Sequence, residues 1–431
     1  AAGVAAAVVL AALLAMSALG AFPRQFGIDF YQFWGVPLAR DSAGIAQTPY
    51  VDPPAYARVL NAAADSSSSV KLRNANRQRR ELEPMATPFL YSVFAAFPAD
   101  YERAQAAFTA VQYAAALFAV FLLARLRGLA VAPAACVSAL VLLTFNPFAQ
   151  DVRVGNVNSL QLAAIAVLIG ISARERFSGN AWIDGLFVGS LAVLVAFKPN
   201  TPWIAAALAL NFAIRRGPRA FTIGVAEAAV LGAAAFAIGA AYFGGAHAWL
   251  EWLRFARGMD GSGLALTLGE GNLSIAMALA GSAPALSSVA WGMVLAGLLA
   301  ALLAGALSSW GRRVDAIGAA SRRAFSDPWF AASAGILLTF AMSPLAWPHY
   351  HMLLIVPIAW LSRTGAPCRA CRWGAIACYL VLSRPLIDVL LSAQLYGLLQ
   401  ALTLASWLVL VPGLIAQAAR SATQDGGAAA R

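Results

Sequence analysis

The sequence predicts an all-α protein, a polytopic bundle of transmembrane helices with short helices on its outer face. Of the 431 residues, 61% are apolar and only 11% are charged, whereas soluble domains carry about a quarter charged residues. Apolar runs of the roughly 20 residues that cross a bilayer core recur along the whole chain. These two observations exclude a water-soluble globular protein.

The apolar runs predict about eleven or twelve spans within a single integral-membrane domain over residues 1–431. The first run, residues 1–22, exceeds the apolar region of a secretory signal, which favours a retained helix over a cleaved signal peptide. The other predicted spans are 104–124, 129–146, 157–173, 181–197, 202–214, 220–243, 284–307, 328–346, 349–362, 373–390 and 395–416.

The basic residues predict the orientation of the bundle. The net charge is +11, and in so apolar a chain the excess belongs to cytoplasmic loops rather than to a nucleic-acid surface. One set of alternate short loops and the tail holds sixteen Lys and Arg, including Arg215 and Arg322, against five in the opposite set, which includes Lys198. The positive-inside rule therefore places Arg215 and Arg322 in the cytoplasm and Asp29 and His349 outside the cell membrane.

Two longer segments are predicted to lie outside. The first outer loop, residues 23–103, contains two amphipathic stretches at 29–39 and 54–65 and a polar stretch at 65–80, which we expect to be mobile and to touch lipid phosphates. The second outer loop, residues 244–283, contains HAWLEWLRFARG, which predicts a helix at the membrane interface.

Asp29 is the first candidate site residue, because polar groups near membrane spans are costly without a role. It follows the first span in GIDFYQFW, beside the aromatic candidates for substrate binding, Tyr31 and Trp34. A carboxylate in this position can act as a general base. Alternatively, Asp29 is only the N-cap of the next helix.

A second polar group lies in NPFAQDVRVGNVNSLQL, residues 146–162. Asn158 and Gln161 are three residues apart and share a helix face, and with Asn156 they are candidate substrate-binding residues. Arg153 is a candidate for binding a phosphate. The alternative is a local ion pair of Asp151 with Arg153 beside an ordinary helix cap.

Further cations lie at two other predicted outer helix ends. Lys198 precedes a proline in FKPN and can neutralise a phosphate or extend to the interface. His349 and His351 flank Tyr350 in WPHYHMLL, and their i, i+2 spacing points them to different sides of a helix, which argues against a shared metal. We expect one histidine to join Lys198 and Arg153 around a phosphate, with Tyr350 contacting substrate or serving only as an interfacial aromatic residue.

Five short motifs carry a resemblance to a known family. They are GIDFYQFWGVPLA, TPFLYSVFAAFP, GNVNSLQLAAI, FKPNTPW and WPHYHMLLIVP, and they occur in that order over most of the chain. Together they resemble the GT-C superfamily of membrane glycosyltransferases, and within it glycosyltransferase family 87, the group of polyprenyl-phosphate-mannose-dependent mannosyltransferases. The resemblance implies an acidic catalytic residue in the first outer loop, which Asp29 matches, and inverting transfer on the outer face from a lipid-phosphate sugar donor. Where this chain has Asn156, the family usually has glutamine.

The residues fit that chemistry independently. Transfer from a polyprenyl-phosphate sugar to a lipid or glycan acceptor needs one base and cations for the departing phosphate. No Asp-x-Asp pair occurs in the chain, which argues against a nucleotide-sugar donor chelated through a metal. The sequence implies no metal and no other cofactor. Two alternatives remain, a transporter or flippase of lipid-linked sugars and an outer-face glycan polymerase or ligase. If Asp29 is not the base, the other outer acids are Asp41, Asp52 and Asp151.

Overall fold

The computed structural model describes residues 26–174, 180–257, 272–282, 287, 290–298, 321–362 and 369–416. Most of these residues are helical, and their only β contact is an isolated bridge between Phe145 and Ser383. The all-α fold class is therefore confirmed. The predicted span 1–22, much of the span 284–307 and much of the second outer loop lie outside the described residues.

The segment predicted as the first outer loop contains four short helices, and a side chain caps the start of three of them. They are α1 (Ile28–Ala43), α2 (Pro53–Ser66), α3 (Val70–Gln78) and α4 (Pro88–Phe94). The side chains of Asp52, Ser69 and Thr87 accept hydrogen bonds from the first backbone N–H groups of α2, α3 and α4. The two predicted amphipathic helices are confirmed, whereas the expectation of a mobile polar stretch was wrong, because α2 and α3 occupy most of residues 65–80 and α3 buries Leu72 and Ala75.

A cluster of aromatic residues packs these helices against the membrane bundle. Phe30 of α1 stacks on Phe108 with ring centroids 5.3 Å apart and also contacts Phe94 and Tyr101. Phe30, Phe94, Tyr101 and Phe108 are all buried. Buried aromatic side chains dominate the energetics of such contacts, so the loop has a packed core of its own.

The central part of the chain forms the apolar bundle. Its helices are α5 (Tyr101–Leu126), α6 (Val131–Thr144), α7 (Asn146–Val154), α8 (Asn158–Ala173), α9 (Ala181–Phe197) and α10 (Pro202–Tyr242). Helix α10 is bent at Gly217, which has a φ of 82° and separates the two predicted spans there.

The C-terminal part adds shorter helices. They are α11 (His247–Arg257), α12 (Ile275–Ser282), α13 (Pro328–Met342), a 3-10 helix (Pro348–Leu354), α14 (Ile355–Leu361), α15 (Arg369–Val381), α16 (Arg384–Ser392) and α17 (Tyr396–Ala405). The predicted span 373–390 is interrupted at Ser383, because Pro385 is disfavoured in a helix interior and instead lies in the first turn of α16.

Among the described residues, three helical stretches are long and apolar enough to cross a membrane: Tyr101–Leu126, Arg219–Tyr242 and Tyr396–Ala416. Four shorter apolar helices accompany them: Val131–Thr144, Asn158–Ala173, Trp182–Phe197 and Pro328–Met342.

Helix α9 separates two kinds of polar cluster. At its N-terminal end, Asp184 pairs with Arg216 at 3.0 Å, and the neighbouring Arg215 donates to the carbonyl of Ser326. Lys198 caps the other end. The 17 residues of α9 rise about 25 Å, so the arginine-rich turn and Lys198 lie at opposite ends of the bundle.

Candidate active site

One cavity of about 370 Å³ lies between the outer-loop helices and the ends of the bundle helices near Lys198. Its polar lining residues are Asp29, Gln32, Arg79, Glu83, Asn156, Lys198, Asn200, Thr339 and Ser343. Its aromatic lining residues are Phe33, Trp203, Trp252, Phe255, Trp347 and Tyr350. An apolar pocket with a few convergent polar groups is the usual form of a small-molecule site.

Helix α1 directs Asp29 into this cavity. The helix begins after Gly27, the N-cap, which has a φ of 65°, and Asp29 lies in the first turn. The alternative that Asp29 is the N-cap was therefore wrong. Gln32 and Phe33 follow Asp29 on the same helix face, since positions three and four residues apart are neighbours, and both also line the cavity.

Tyr31 and Trp34 lie on the other side of α1, within the packed core of the outer loop. The Tyr31 hydroxyl accepts a hydrogen bond from Asn76 at 2.8 Å, and the Trp34 indole donates to the carbonyl of Pro98 at 2.8 Å. Both are buried and neither lines the cavity. The expectation that they contact substrate is not supported, because the helical rotation that exposes Asp29 turns them inward.

The Asp29 carboxylate is held by groups from three other segments. Asn156 donates its amide Nδ2 to Oδ2 of Asp29 at 2.7 Å. Nε2 of His349 lies 3.7 Å from the same oxygen, and Nη2 of Arg79 lies 3.7 Å from Oδ1. The side chain keeps 16% exposure, so Asp29 is oriented by its neighbours and still open to the cavity.

Gly155 allows the close approach of α7 to α1 that this contact requires. It ends α7 with a φ of 71°, a conformation that side chains other than glycine's disfavour. A Cβ at this position would lie 2.5 Å from Cβ of Phe30. In addition, the Gln112 side chain donates to the carbonyls of Asp151 and Asn156 at 3.0 and 2.7 Å, which fixes the turn that presents Asn156 to Asp29.

Lys198 is a buried cation one amide group away from Asp29. Its Nζ donates to Oδ1 of Asn156 at 2.7 Å and to Oδ1 of Asn158 at 2.6 Å. It also lies 4.3 Å from the centre of the Tyr350 ring, within the range of a cation–π contact. Burial lowers the pKa of Lys198, while the negative charges of Asp151 and Asp29 oppose this shift.

Asp151 lies behind this lysine and does not reach the cavity. Its carboxylate accepts from Asn158 Nδ2 at 2.8 Å, from Ser159 N at 3.1 Å and from Ser159 Oγ at 2.5 Å. Burial raises its pKa, while the Ser159 hydrogen bond and the Lys198 charge oppose the rise. Within the described part of the chain Asp151 makes no ion pair with Arg153, so the local-pair alternative was wrong.

The remaining predicted residues divide between the cavity and its surroundings. His349 and Asn158 contact the Asp29–Lys198 group, and Gln161 supports the lining residue Asn200 by donating to its Oδ1 at 2.9 Å. Arg153 is exposed in the last turn of α7 and is not a lining residue. His351 packs on Phe340 with ring centroids 4.8 Å apart, away from the cavity. Of the two histidines, one of which was expected to join Lys198, His349 lies at the site and His351 does not. The expectation that Arg153 joins them was wrong, because Arg153 does not line the cavity.

Arg79, Glu83 and Gln32 also line the cavity, and none of them was predicted as a site residue. Arg79 Nη1 lies 3.6 Å from Glu83 Oε2, and with its amide suitably oriented Gln32 accepts from Arg79 Nε at 2.9 Å. Burial raises the pKa of Glu83, while Arg79 opposes the rise. The i, i+4 spacing of Arg79 and Glu83 was the only available signal. Nowhere in the described ranges do three His, Cys, Asp or Glu side chains group as metal ligands.

The comparison with protein families identifies the family of the chain. The model of glycosyltransferase family 87 matches residues 84–344, a range that includes Asn156 and Lys198 but neither Asp29 nor His349. Searches of curated proteins and of solved structures found no match. Since the family match covers more than half of the chain and apolar helices run through it, the protein belongs to glycosyltransferase family 87 and is a membrane glycosyltransferase.

Proposed function

We propose that the protein transfers a sugar, mannose in the first instance, from a polyprenyl-phosphate donor to a hydroxyl of a lipid or glycan acceptor on the extracytoplasmic face. The observation that carries this proposal is the pairing of Asp29 with Lys198 in one cavity through the amide of Asn156. A base and a cation at this separation are the two groups that such a transfer needs.

Lys198 is the proposed contact for the donor phosphate. Two of its three N–H donors are used by Asn156 and Asn158, which leaves one for a phosphate oxygen. The buried Nε2 of His349 has no hydrogen-bond partner within the described part of the chain, and it lies on the same side of Asp29. Because the site is poorly hydrated, the contacts of the donor phosphate with Lys198 and His349 are stronger than they would be in water.

The apolar part of the cavity suits the isoprenoid end of the donor. Trp203, Met342, Leu345 and Trp347 line it. Trp203 lies at the start of α10 and Met342 at the end of α13, two helices of the bundle, and Leu345 and Trp347 lie in the segment that follows α13. A lipid-borne donor can therefore keep its tail among apolar side chains while its head reaches Lys198.

Asp29 is the proposed general base. The acceptor hydroxyl gives its proton to the Asp29 carboxylate as its oxygen attacks the anomeric carbon. The bond between that carbon and the phosphate oxygen breaks, and the phosphate leaves with the electron pair beside Lys198. Attack on the face opposite the leaving group inverts the configuration of the anomeric carbon.

The acceptor is proposed to bind on the Arg79 side of Asp29. The ion pairs of Arg79 with Asp29 and Glu83, at 3.7 and 3.6 Å, are longer than hydrogen bonds. Carboxylate oxygens of both acids thus remain available to hydroxyl groups of a sugar or another polyol. This arrangement places donor and acceptor on opposite sides of the proposed base.

The test is sugar transfer by the purified protein in nanodiscs. Radiolabelled polyprenyl-phosphate mannose and the matching nucleotide sugar are compared as donors, with a panel of lipid and glycan acceptors and a chelator present. We expect a labelled product from the lipid donor alone. A product only from the nucleotide sugar, or movement of the lipid-linked sugar across the membrane without any product, would overturn the proposal.

A further inference from the structure

Lys198 is held by two parallel chains of hydrogen bonds that end in carboxylates. Asn156 accepts from Lys198 through Oδ1 and donates through Nδ2 to Asp29. Asn158 repeats the pattern, accepting from Lys198 and donating to Asp151. Each carboxylate fixes the orientation of one amide, because the amide can present its oxygen to the lysine only when its NH₂ group faces an acceptor.

The two chains differ in their access to the cavity. Asp29 lines it, whereas Asp151 is fully buried and lies behind the lysine. Since a base must reach the proton that it removes, the turnover step described above leaves Asp151 without a task. Burying a carboxylate costs free energy unless it is paired with a cation and hydrogen-bonded, which points to a role beside Lys198.

We infer that Asp151 is a positioning residue, acting through Asn158 to keep Lys198 in the charged form that receives the lipid phosphate. This inference rests on the proposed donor. Asp29 alone is a poor counter-ion for this purpose, because as the base it is neutralised by a proton during turnover. Asp151 keeps its charge through that step and is shielded from the substrate.

No other group that faces Lys198 within the described residues can replace Asp151 as its permanent counter-ion. His349 and Tyr350 belong to the 3-10 helix, and neither carries a negative charge near neutral pH. Asp29 belongs to α1, and Asp151 belongs to α7. The negative charges of Asp29 and Asp151 oppose the lowering of the Lys198 pKa by burial. Of these two, only Asp151 stays charged throughout the reaction.

The inference predicts a change in how lipid-phosphate binding depends on pH. A neutral residue at position 151 removes a negative charge near Lys198, so the ammonium loses its proton at a lower pH. For Asp151→Asn, the alkaline midpoint of binding should therefore fall by about one pH unit or more, the usual effect of one nearby opposite charge.

The experiment measures binding of polyprenyl phosphate without sugar to the full chain in nanodiscs between pH 5 and 10, a range that includes the value of about 7 to which burial lowers the pKa of Lys198. Ser159→Ala is the matched control, since it removes the 2.5 Å bond to Asp151 but leaves the carboxyl group in place, so its midpoint should fall less than that of Asp151→Asn. If Asp151→Asn does not fold, Asn158→Ala is measured instead. This variant removes the hydrogen bonds that link Lys198 to Asp151, so it should also lower the midpoint.

Each result is decisive. Equal midpoints for the wild type and for the folded Asp151→Asn variant, or for Asn158→Ala if it is needed, would overturn the inference while the proposed donor stands. A midpoint lowered as much by Ser159→Ala as by Asp151→Asn would also overturn it, because packing rather than charge would then be responsible. Absence of binding to the wild type at every pH would overturn both the proposed donor and the inference.

Discussion

Lys198 and Glu83 lie on different sides of Asp29, and we propose that Lys198 binds the donor and Glu83 binds the acceptor. Two variants test these roles separately. Lys198→Met keeps the apolar stem but removes the charge that receives the donor phosphate, so the donor KM should rise about 10- to 100-fold, as expected for loss of a charge-assisted hydrogen bond. Glu83→Gln should raise the acceptor KM about tenfold and leave the donor KM near the wild-type value. Steady-state kinetics with each substrate varied in turn provides the measurement, and a rise in the same KM in both variants would contradict the assignment of sides.

The sequence identified several site residues for a clear physical reason. Asp29, Asn156, Lys198 and His349 are polar residues near the ends of apolar runs, where uncompensated burial is costly, so they stand out from their surroundings. Arg79 lies in a stretch that is polar throughout, and one more arginine there carries no signal. Its role depends on the turn after α3, which places it 3.7 Å from Asp29.

The aromatic neighbours of Asp29 show where sequence proximity misleads. Tyr31 and Trp34 follow Asp29 closely in the sequence, but helix α1 directs both side chains into the packed core of the outer loop. Phe33, which was not chosen as a substrate contact, shares the cavity face with Asp29. The helix was predictable from its amphipathic pattern, but which of its faces meets the cavity depended on the packing of Phe30 against distant residues.

At the scale of secondary-structure elements, the junction of α7 with α1 assembles the site, and Gly155 is its critical position. Gly155→Ala places a methyl group 2.5 Å from Cβ of Phe30. The alanine must also adopt the left-handed backbone conformation of Gly155, which alone costs about 1–2 kcal/mol. We expect a lower unfolding temperature and at least a tenfold loss of turnover, since Asn156 moves away from Asp29. Gly44→Ala is the control, because Gly44 is also left-handed but a methyl group there meets no atom within 4 Å. Equal effects of the two substitutions on both measurements would contradict this role for the junction.

The elements themselves were predictable to different degrees. Long apolar runs gave the position of α5, α8 and α9 to within a few residues, because apolar composition over a helix length leaves few alternatives. The interruption at Ser383 was missed, although Pro385 in the sequence was the physical cause. Helix α3 was missed because its composition is polar, and it is stabilised by the few apolar side chains that it buries.

In the whole molecule, the proposed function requires the cavity and the arginine-rich turns to face opposite sides of the membrane. Single cysteines at Asp65 and Arg322, both exposed positions, test this with a membrane-impermeant thiol reagent on intact cells. Labelling above that of the unmodified protein is expected for Asp65→Cys and not for Arg322→Cys, because the positive-inside rule places the arginine-rich turns in the cytoplasm. The reverse pattern would move the cavity to the cytoplasmic face.

Asp29 is proposed to take the proton of the acceptor. Asp29→Asn keeps the size of the side chain but cannot accept a proton, so sugar transfer in nanodiscs should fall by at least about 100-fold, while donor affinity and unfolding temperature stay close to those of the wild type. Asp41→Asn, at an exposed position near the other end of the same helix, should retain full transfer. If Asp29→Asn also retains full transfer, Asp29 is not the base.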